Sequence, residues 1–212
     1  MLSLGIVIFG VLSNFPARPS GAQLAAIGAD GFVLAWGVMA LLIAALLYAL
    51  VAALLLASGR DAPVIPGGAS PAMPILALLG LGVALYMTYV ETQNAVAVCG
   101  PIGDCNAVQS SPFATLFGVL PVGLFGALGY VGILVAWAAN RFGPPALARL
   151  AGPALLGMGL FGVIFSIYLT YLELFIIKAV CIWCLSSAVL IALVLLLAVG
   201  PAAAVLAGDG EE

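Results

Sequence analysis

Residues 153–199 read PALLGMGLFGVIFSIYLTYLELFIIKAVCIWCLSSAVLIALVLLLAV, and Glu173 and Lys178 are the only charged side chains among them. A helix needs about 20 predominantly apolar residues to cross a ~30 Å hydrocarbon core. This stretch holds two such runs, roughly Pro153 to Ile177 and Cys181 to Val199, separated by Lys178 and two small residues. Working outward, three more runs meet the same criterion, roughly Phe32 to Ala57, Met73 to Ala95 and Phe113 to Ala139. Backbone exposed to lipid must satisfy its own hydrogen bonds, so helices are the spanning element. None of the runs alternates in polarity as the strands of a membrane barrel do. The sequence therefore predicts an all-α integral membrane protein with five spans.

Composition agrees with that reading. Of 212 residues 66% are hydrophobic and 6% charged, far below the roughly 25% charged fraction of soluble domains. The basic residues are Arg18, Arg60, Arg141, Arg149 and Lys178, too few and too scattered for a nucleic-acid footprint. Histidine is absent, which removes imidazole as base, proton shuttle or metal ligand. Met1 to Leu12 is apolar, lacks the basic start of a signal peptide and is too short to span. It is expected to lie at the interface or against the bundle.

The breaks at Ser58 to Pro71 and Asn140 to Gly152 carry Arg60, Arg141 and Arg149. Arginine-bearing short loops stay cytoplasmic, so Val96 to Pro112 and the Lys178–Cys181 junction are expected outside, with the acidic tail inside.

An internal repeat supports a paired organisation. Aligning Gly80–Cys99 with Gly162–Cys181 gives identity at eight of twenty positions, including Tyr86/Tyr168, Thr88/Thr170, Tyr89/Tyr171, Glu91/Glu173 and Cys99/Cys181. Composition alone repeats Gly, Ala and Val in an apolar bundle. It does not repeat Tyr-x-Thr-Tyr-x-Glu with a cysteine at the same distance.

Four cysteines fall in two groups. Cys99-Gly-Pro-Ile-Gly-Asp-Cys105 sits in a helix-breaking loop, and Cys181-Ile-Trp-Cys184 opens the last span. At a helix N-terminus, free N–H groups and the dipole stabilise a thiolate and make a Cys-x-x-Cys pair an exchanger. Two structural staples, or a four-thiolate zinc site, are the alternatives. Staples closing loops this short add little stability. Elsewhere, Glu91 and Glu173 are expected near the outer helix ends, where carboxylates can stay solvated, pairing helices or snorkelling to the interface rather than serving catalysis. Tyr86, Tyr89, Tyr168, Tyr171 and Trp183 fit an outer aromatic belt, with Trp183 placed beside the pair. Gly118, Gly123, Gly126, Gly129 and Gly132 are expected to let the third helix approach its neighbours.

Taken in order, the loop pair Cys99/Cys105, Ser111 six residues later, the Tyr168-Leu-Thr-Tyr171 helix end and Cys181-Ile-Trp-Cys184 resemble the vitamin K epoxide reductase family in its prokaryotic form. The resemblance covers about Pro71 to Val199. It implies a four-helix bundle around a quinone site, here with one additional N-terminal transmembrane helix. The chain then divides into an N-terminal segment with the extra helix (1–70), a catalytic domain (71–202) and an acidic cytoplasmic tail (203–212). In that family electrons pass from a reduced thioredoxin-like partner through the loop cysteines to the membrane pair. By position, Cys99 would exchange with the partner, Cys105 with Cys181, and Cys184, with Trp183 and Ser111 nearby, would face the quinone. The quinone would be ubiquinone, menaquinone or a phylloquinone type. The thioredoxin-like domain fused to many bacterial members is not present, so the resemblance implies a separate partner. It also implies a bacterial inner membrane, with the site facing the periplasm. Animal members carry a tyrosine where this chain has Ala188, which favours plain quinone reduction over epoxide reduction. Another bacterial quinone-linked oxidase has its Cys-x-x-Cys in the first outer loop, the reverse of the order here. From a different class, a membrane scaffold or small transporter with inert disulfides is the competing reading, and the scarcity of intramembrane charge speaks against ion transport.

Overall fold

The computed structural model describes residues 31–60, 64–65, 71–99, 103–116 and 118–206. Met1 to Leu12 and the end of the acidic tail lie outside the described residues. Five long helices dominate: α1 Phe32–Ala57, α2 Ala72–Gln93, α4 Val122–Phe142, α5 Pro145–Tyr171 and α6 Ile182–Leu206. A short α3, Cys105–Gln109, lies in the loop after α2. All five long helices are long and apolar enough to cross a membrane, and the protein is a multi-pass membrane protein.

The helix ends follow local chemistry. Helix α2 starts behind Pro71 and stops at Asn94, whose left-handed backbone (φ 49°) turns its N–H back to the carbonyl of Val90. Asparagine tolerates that conformation better than most residues. Helix α1 ends where the Ser58 hydroxyl donates to the carbonyls of Leu54 and Leu55.

Two boundaries differ from the sequence expectation. The third span begins at Val122 rather than Phe113. Pro112 opens a single 3-10 turn, and left-handed Gly118 (φ 71°) turns a small hairpin pairing Thr115–Leu116 with Leu120–Pro121. Gly118 therefore belongs to a turn, not to a helix interface. The fourth span begins at Pro145 rather than Pro153, because proline at the first helical position gives up only an N–H that had no partner. Pro153 then lies inside α5, as membrane helices tolerate. At its far end α5 widens into a π-helical segment, Leu172–Ile177. Helix α6 continues through Leu206, into the stretch assigned to the tail.

Helices α2, α4, α5 and α6 pack in a closed ring, α2 on α4, α4 on α5, α5 on α6 and α6 on α2; α1 lies outside on the α5–α6 seam. Lipid tails are as apolar as leucine, so association rests on close packing rather than on expelling water. Small residues make it possible. A Cβ on Gly123 would press on the backbone of Met87 and Thr88, and one on Gly152 on the carbonyl of Pro201. Leu54, Val135 and Leu150 meanwhile remain largely exposed, as lipid-facing side chains should. Gly129, by contrast, has no neighbour among the described residues that a side chain would meet, so it does not pack as those glycines do.

Candidate thiol–disulfide site

Between Ala95 and Cys99 the chain is irregular, and side chains hold it at both edges. The Ala97 N–H donates to Asn106 Oδ1 (2.8 Å), the Val98 N–H to the Tyr86 hydroxyl (2.8 Å), and Trp183 Nε1 to the Val98 carbonyl (2.9 Å). Tyr86 and Trp183 also meet ring to ring at 4.9 Å. These two aromatics are thus turned inward to carry the loop, contrary to the belt expectation, whereas Tyr89, Tyr168 and Tyr171 are exposed.

Cys105 opens α3, whose N-terminus is capped by the Asp104 carboxylate accepting from the Ala107 N–H at 3.0 Å. Cys99 and Cys105 are joined in a disulfide with Cα atoms 6.0 Å apart. One backbone bond fixes this unit to the membrane pair: the Asp104 N–H donates to the Val180 carbonyl at 2.8 Å. Gly103, left-handed at φ 84°, makes that approach possible, since any Cβ there would collide with the same carbonyl oxygen.

Cys181 follows immediately and is fully buried. It precedes the first residue of α6 and acts as its cap: the Cys184 N–H points at Cys181 Sγ (3.4 Å), and the Leu185 N–H donates to the Cys181 carbonyl (3.0 Å). The Cys184 side chain, hydrogen-bonded to the Cys181 sulfur, holds the Cys181 thiol below its ordinary range. Burial opposes this, and the backbone N–H groups of Cys184 and Trp183 reinforce it. Cys181 and Cys184 are free thiols. Cys181 shares a buried cluster with Cys105, Met87, Val90, Ala97 and Val108, so the two sulfur couples are packed together from opposite ends of the sequence. Cys184, one turn further, packs against the edge of the same cluster.

It also lines a partly open cavity of about 380 Å³ among the four helices of the ring. The walls are apolar, built from Ala84 and Met87 of α2, Phe125, Gly126 and Gly129 of α4, Phe161 and Phe165 of α5, and Ala188 and Ile191 of α6. Ser111 and Gln109 line its loop end, and among the described residues buried Ser111 Oγ and Gln109 Oε1 have no hydrogen-bond partner. Buried polar atoms are seldom left in that state. Trp183 also touches the cavity. Across it, the Tyr130 hydroxyl donates to the Ser187 carbonyl at 3.0 Å, pinning α4 to α6. Tyr130→Phe is expected to cost about 0.5–1.5 kcal/mol, seen as a lowered unfolding temperature in detergent with the cysteine pairs unchanged.

The two repeated glutamates pair helices, as expected, but they are not solvated surface groups. Glu91 Oε2 accepts the Gly123 N–H (2.9 Å) and Glu173 Oε2 the Cys181 N–H (3.4 Å). Each therefore sits at the N-terminal end of the next membrane helix, where free N–H groups favour a carboxyl. Both line the cavity, and Glu173 is 3% exposed. The repeat extends to Thr88 and Thr170, whose hydroxyls bond the carbonyls of Ala84 and Ser166, four residues back in each copy. The copies part in structure around the glutamates, where one unwinds into the Ala95–Cys99 segment and the other enters the π turn at Leu172.

A helical membrane bundle that sets a disulfide against a buried dithiol, above an apolar cavity, defines a class of membrane oxidoreductase. Residues 71–199 match the family model described as "Vitamin K epoxide reductase family". The match spans more than half of the chain, and the chain belongs to this family, whose members are membrane oxidoreductases linked to thiols and quinones and generally work with thioredoxin-like partners.

Proposed function

We propose that the protein is a thiol:quinone oxidoreductase that reoxidises a separate thioredoxin-like dithiol protein and so supports disulfide formation. The observation that carries this reading is the burial of Cys105 and Cys181 in one cluster while Cys184 faces the cavity. Residues 71–202 would be the catalytic unit and 1–70 an added segment. The setting would be a bacterial inner membrane with the cysteines toward the periplasm.

The path follows thiol–disulfide exchange, in which a thiolate attacks a disulfide sulfur and displaces the other. A thiolate of the reduced partner attacks Cys99 and displaces Cys105, and the partner's second thiol then displaces Cys99, so the partner leaves as a disulfide and Cys99 and Cys105 are left as thiols. Cys105 then attacks Cys181 of an oxidised Cys181–Cys184 pair and releases Cys184. Cys99 attacks Cys105, restoring the loop disulfide and leaving Cys181 and Cys184 as thiols. Support comes from the observed pairing, with the loop couple bonded and the membrane couple free. A lowered Cys181 thiol suits it both as thiolate and as leaving group.

The cavity fits a quinone by size, by its flat aromatic walls and by the unpartnered Ser111 hydroxyl, which can donate to a carbonyl oxygen. Bound there, a quinone supplies a two-electron, two-proton acceptor. Ser111 would orient it, Trp183 would close the outer end and Cys184 would face the acceptor. Purified protein in detergent is expected to oxidise a reduced thioredoxin-like protein only when a quinone is added. Oxidation that proceeds equally without quinone would remove this reading.

A further inference from the structure

We propose that Glu173 is a catalytic residue of the sulfur-to-quinone step, taking the proton from Cys184 and passing it across the cavity. This rests on the function proposed above. Three observations carry it. Glu173 is 3% exposed, at membrane depth, in a span with no other acidic residue. Its carboxyl accepts the Cys181 N–H through Oε2 (3.4 Å) and lies near enough to the Cys184 side chain to interact with it electrostatically. It also lines the cavity that Cys184 faces. A buried carboxyl inside the membrane is costly and, where present, marks function.

The chemistry requires a proton carrier at this place. Oxidising the Cys181–Cys184 dithiol breaks two S–H bonds and forms one S–S bond, and two electrons and two protons end on the two carbonyl oxygens of the quinone. A protein with no histidine, acting in an apolar cavity, has few groups able to accept and return a proton. Among the described residues, the titratable groups on the cavity wall are Glu91 from α2, Tyr130 from α4, Glu173 from the end of α5 and Cys184 from α6, with Cys181 behind it. Glu91 is held at the start of α4 by the Gly123 N–H, and Tyr130 by Ser187. Glu173 is the one bonded to the pair itself, through the Cys181 N–H, and lining the same cavity as Cys184. It ends each cycle with the proton count it began with, so no further reactant is needed. The π-helical turn is what places it there: Leu172–Ile177 widens the helix at the residue that must reach back toward Cys181 and Cys184. Such turns recur at functional sites.

The test compares Glu173→Gln, which keeps an oxygen for the Cys181 N–H but cannot carry the proton, with Glu173→Asp, which can. The first readout needs no quinone. In a background of Cys99→Ser, Cys105→Ser and Cys181→Ser, the rate at which N-ethylmaleimide alkylates Cys184 is followed against pH. With a carboxylate as internal base, in the native Glu173 background or in Glu173→Asp, the profile is expected to be shallow. With Glu173→Gln the rate should follow the thiolate fraction alone, steepening toward about tenfold per pH unit and falling at neutral pH. The second readout is electron transfer from the reduced Cys181–Cys184 pair to a short-chain benzoquinone. Loss of a positioned acid–base group lowers such a step by about 10²–10⁴-fold, with rescue in Glu173→Asp. Trapping of the Cys105–Cys181 mixed disulfide should be unaffected. An unaltered alkylation profile in Glu173→Gln, or equal loss of both readouts in Glu173→Gln and Glu173→Asp, would overturn the proposal. If wild-type protein reduces quinone and Glu173→Gln is silent, the relay fails and the function stands. If the alkylation profile shifts but wild-type protein does not reduce quinone, the proton coupling stands and the quinone reading fails.

Discussion

Cys184→Ser is expected to bring quinone-dependent oxidation of the partner to background, the largest effect of any single substitution here. Cys184 lines the cavity, whereas Cys181 is sealed in the cluster beneath the loop. A serine at 184 leaves shape and polarity nearly intact, so folding should survive. The membrane couple can no longer close its own disulfide, and no electron pair can leave for the acceptor. With Cys99→Ser added, a Cys105–Cys181 mixed disulfide should accumulate once formed by oxidation, because neither neighbouring thiol remains to resolve it. Non-reducing peptide mapping after rapid alkylation reads this out. Retained quinone reduction would remove Cys184 from the terminal position. Fixed, unexchanging pairs in every variant would favour the scaffold or transporter with inert disulfides.

Gly103→Ala is expected to have the second largest effect, and on a different step. Two penalties coincide at this residue. A left-handed backbone costs a non-glycine residue about 1–3 kcal/mol, and the new methyl group would collide with the Val180 carbonyl. Relief comes most easily by releasing the Asp104–Val180 hydrogen bond that holds the loop couple over Cys181. Since about 1.4 kcal/mol is a factor of ten, the docked population should fall roughly ten- to a hundredfold. Single-turnover reduction of Cys181–Cys184 by a reduced partner should slow accordingly. Reduction of the same pair by a small membrane-permeant dithiol should not change, because that route bypasses the loop. Equal rates through the loop in wild type and variant would show that the strap does not matter.

Much of this protein is visible in one dimension because the bilayer imposes a simple code. A residue run without charge over about 20 positions has one solvent available to it, and Phe32–Ala57 and the last span declare themselves. The Cys-x-x-Cys at the start of α6 is equally local, since the helix dipole acts on its own first turn. Boundaries were harder where proline can be read two ways. Pro145 opens a helix and Pro153 is absorbed within it, while Pro112 and Pro121 flank a hairpin in a segment as apolar as a span.

The glutamates show the limit best. Their repeat is plain in the sequence, but whether a carboxyl near a helix end meets water or a cavity depends on which helices close around it. Glu173 was legible as a partner of Glu91 and illegible as a neighbour of Cys184. The same holds for Tyr86, whose role in clamping Val98 needs Trp183 brought against it from another helix.

The sequence by itself determined the solvent, the spans and the two cysteine groups, because each depends on residues within a helix turn or a helix length of one another, and the family likeness, because it needs only the order of those groups along the chain. Only the tertiary structure decided that Cys181 is buried against Cys105, that Cys184 faces the cavity, and that Glu91 and Glu173 line it. Those outcomes depend on contacts such as Gly103 with Val180 and Gly123 with Thr88, between segments that meet only when the four-helix ring closes.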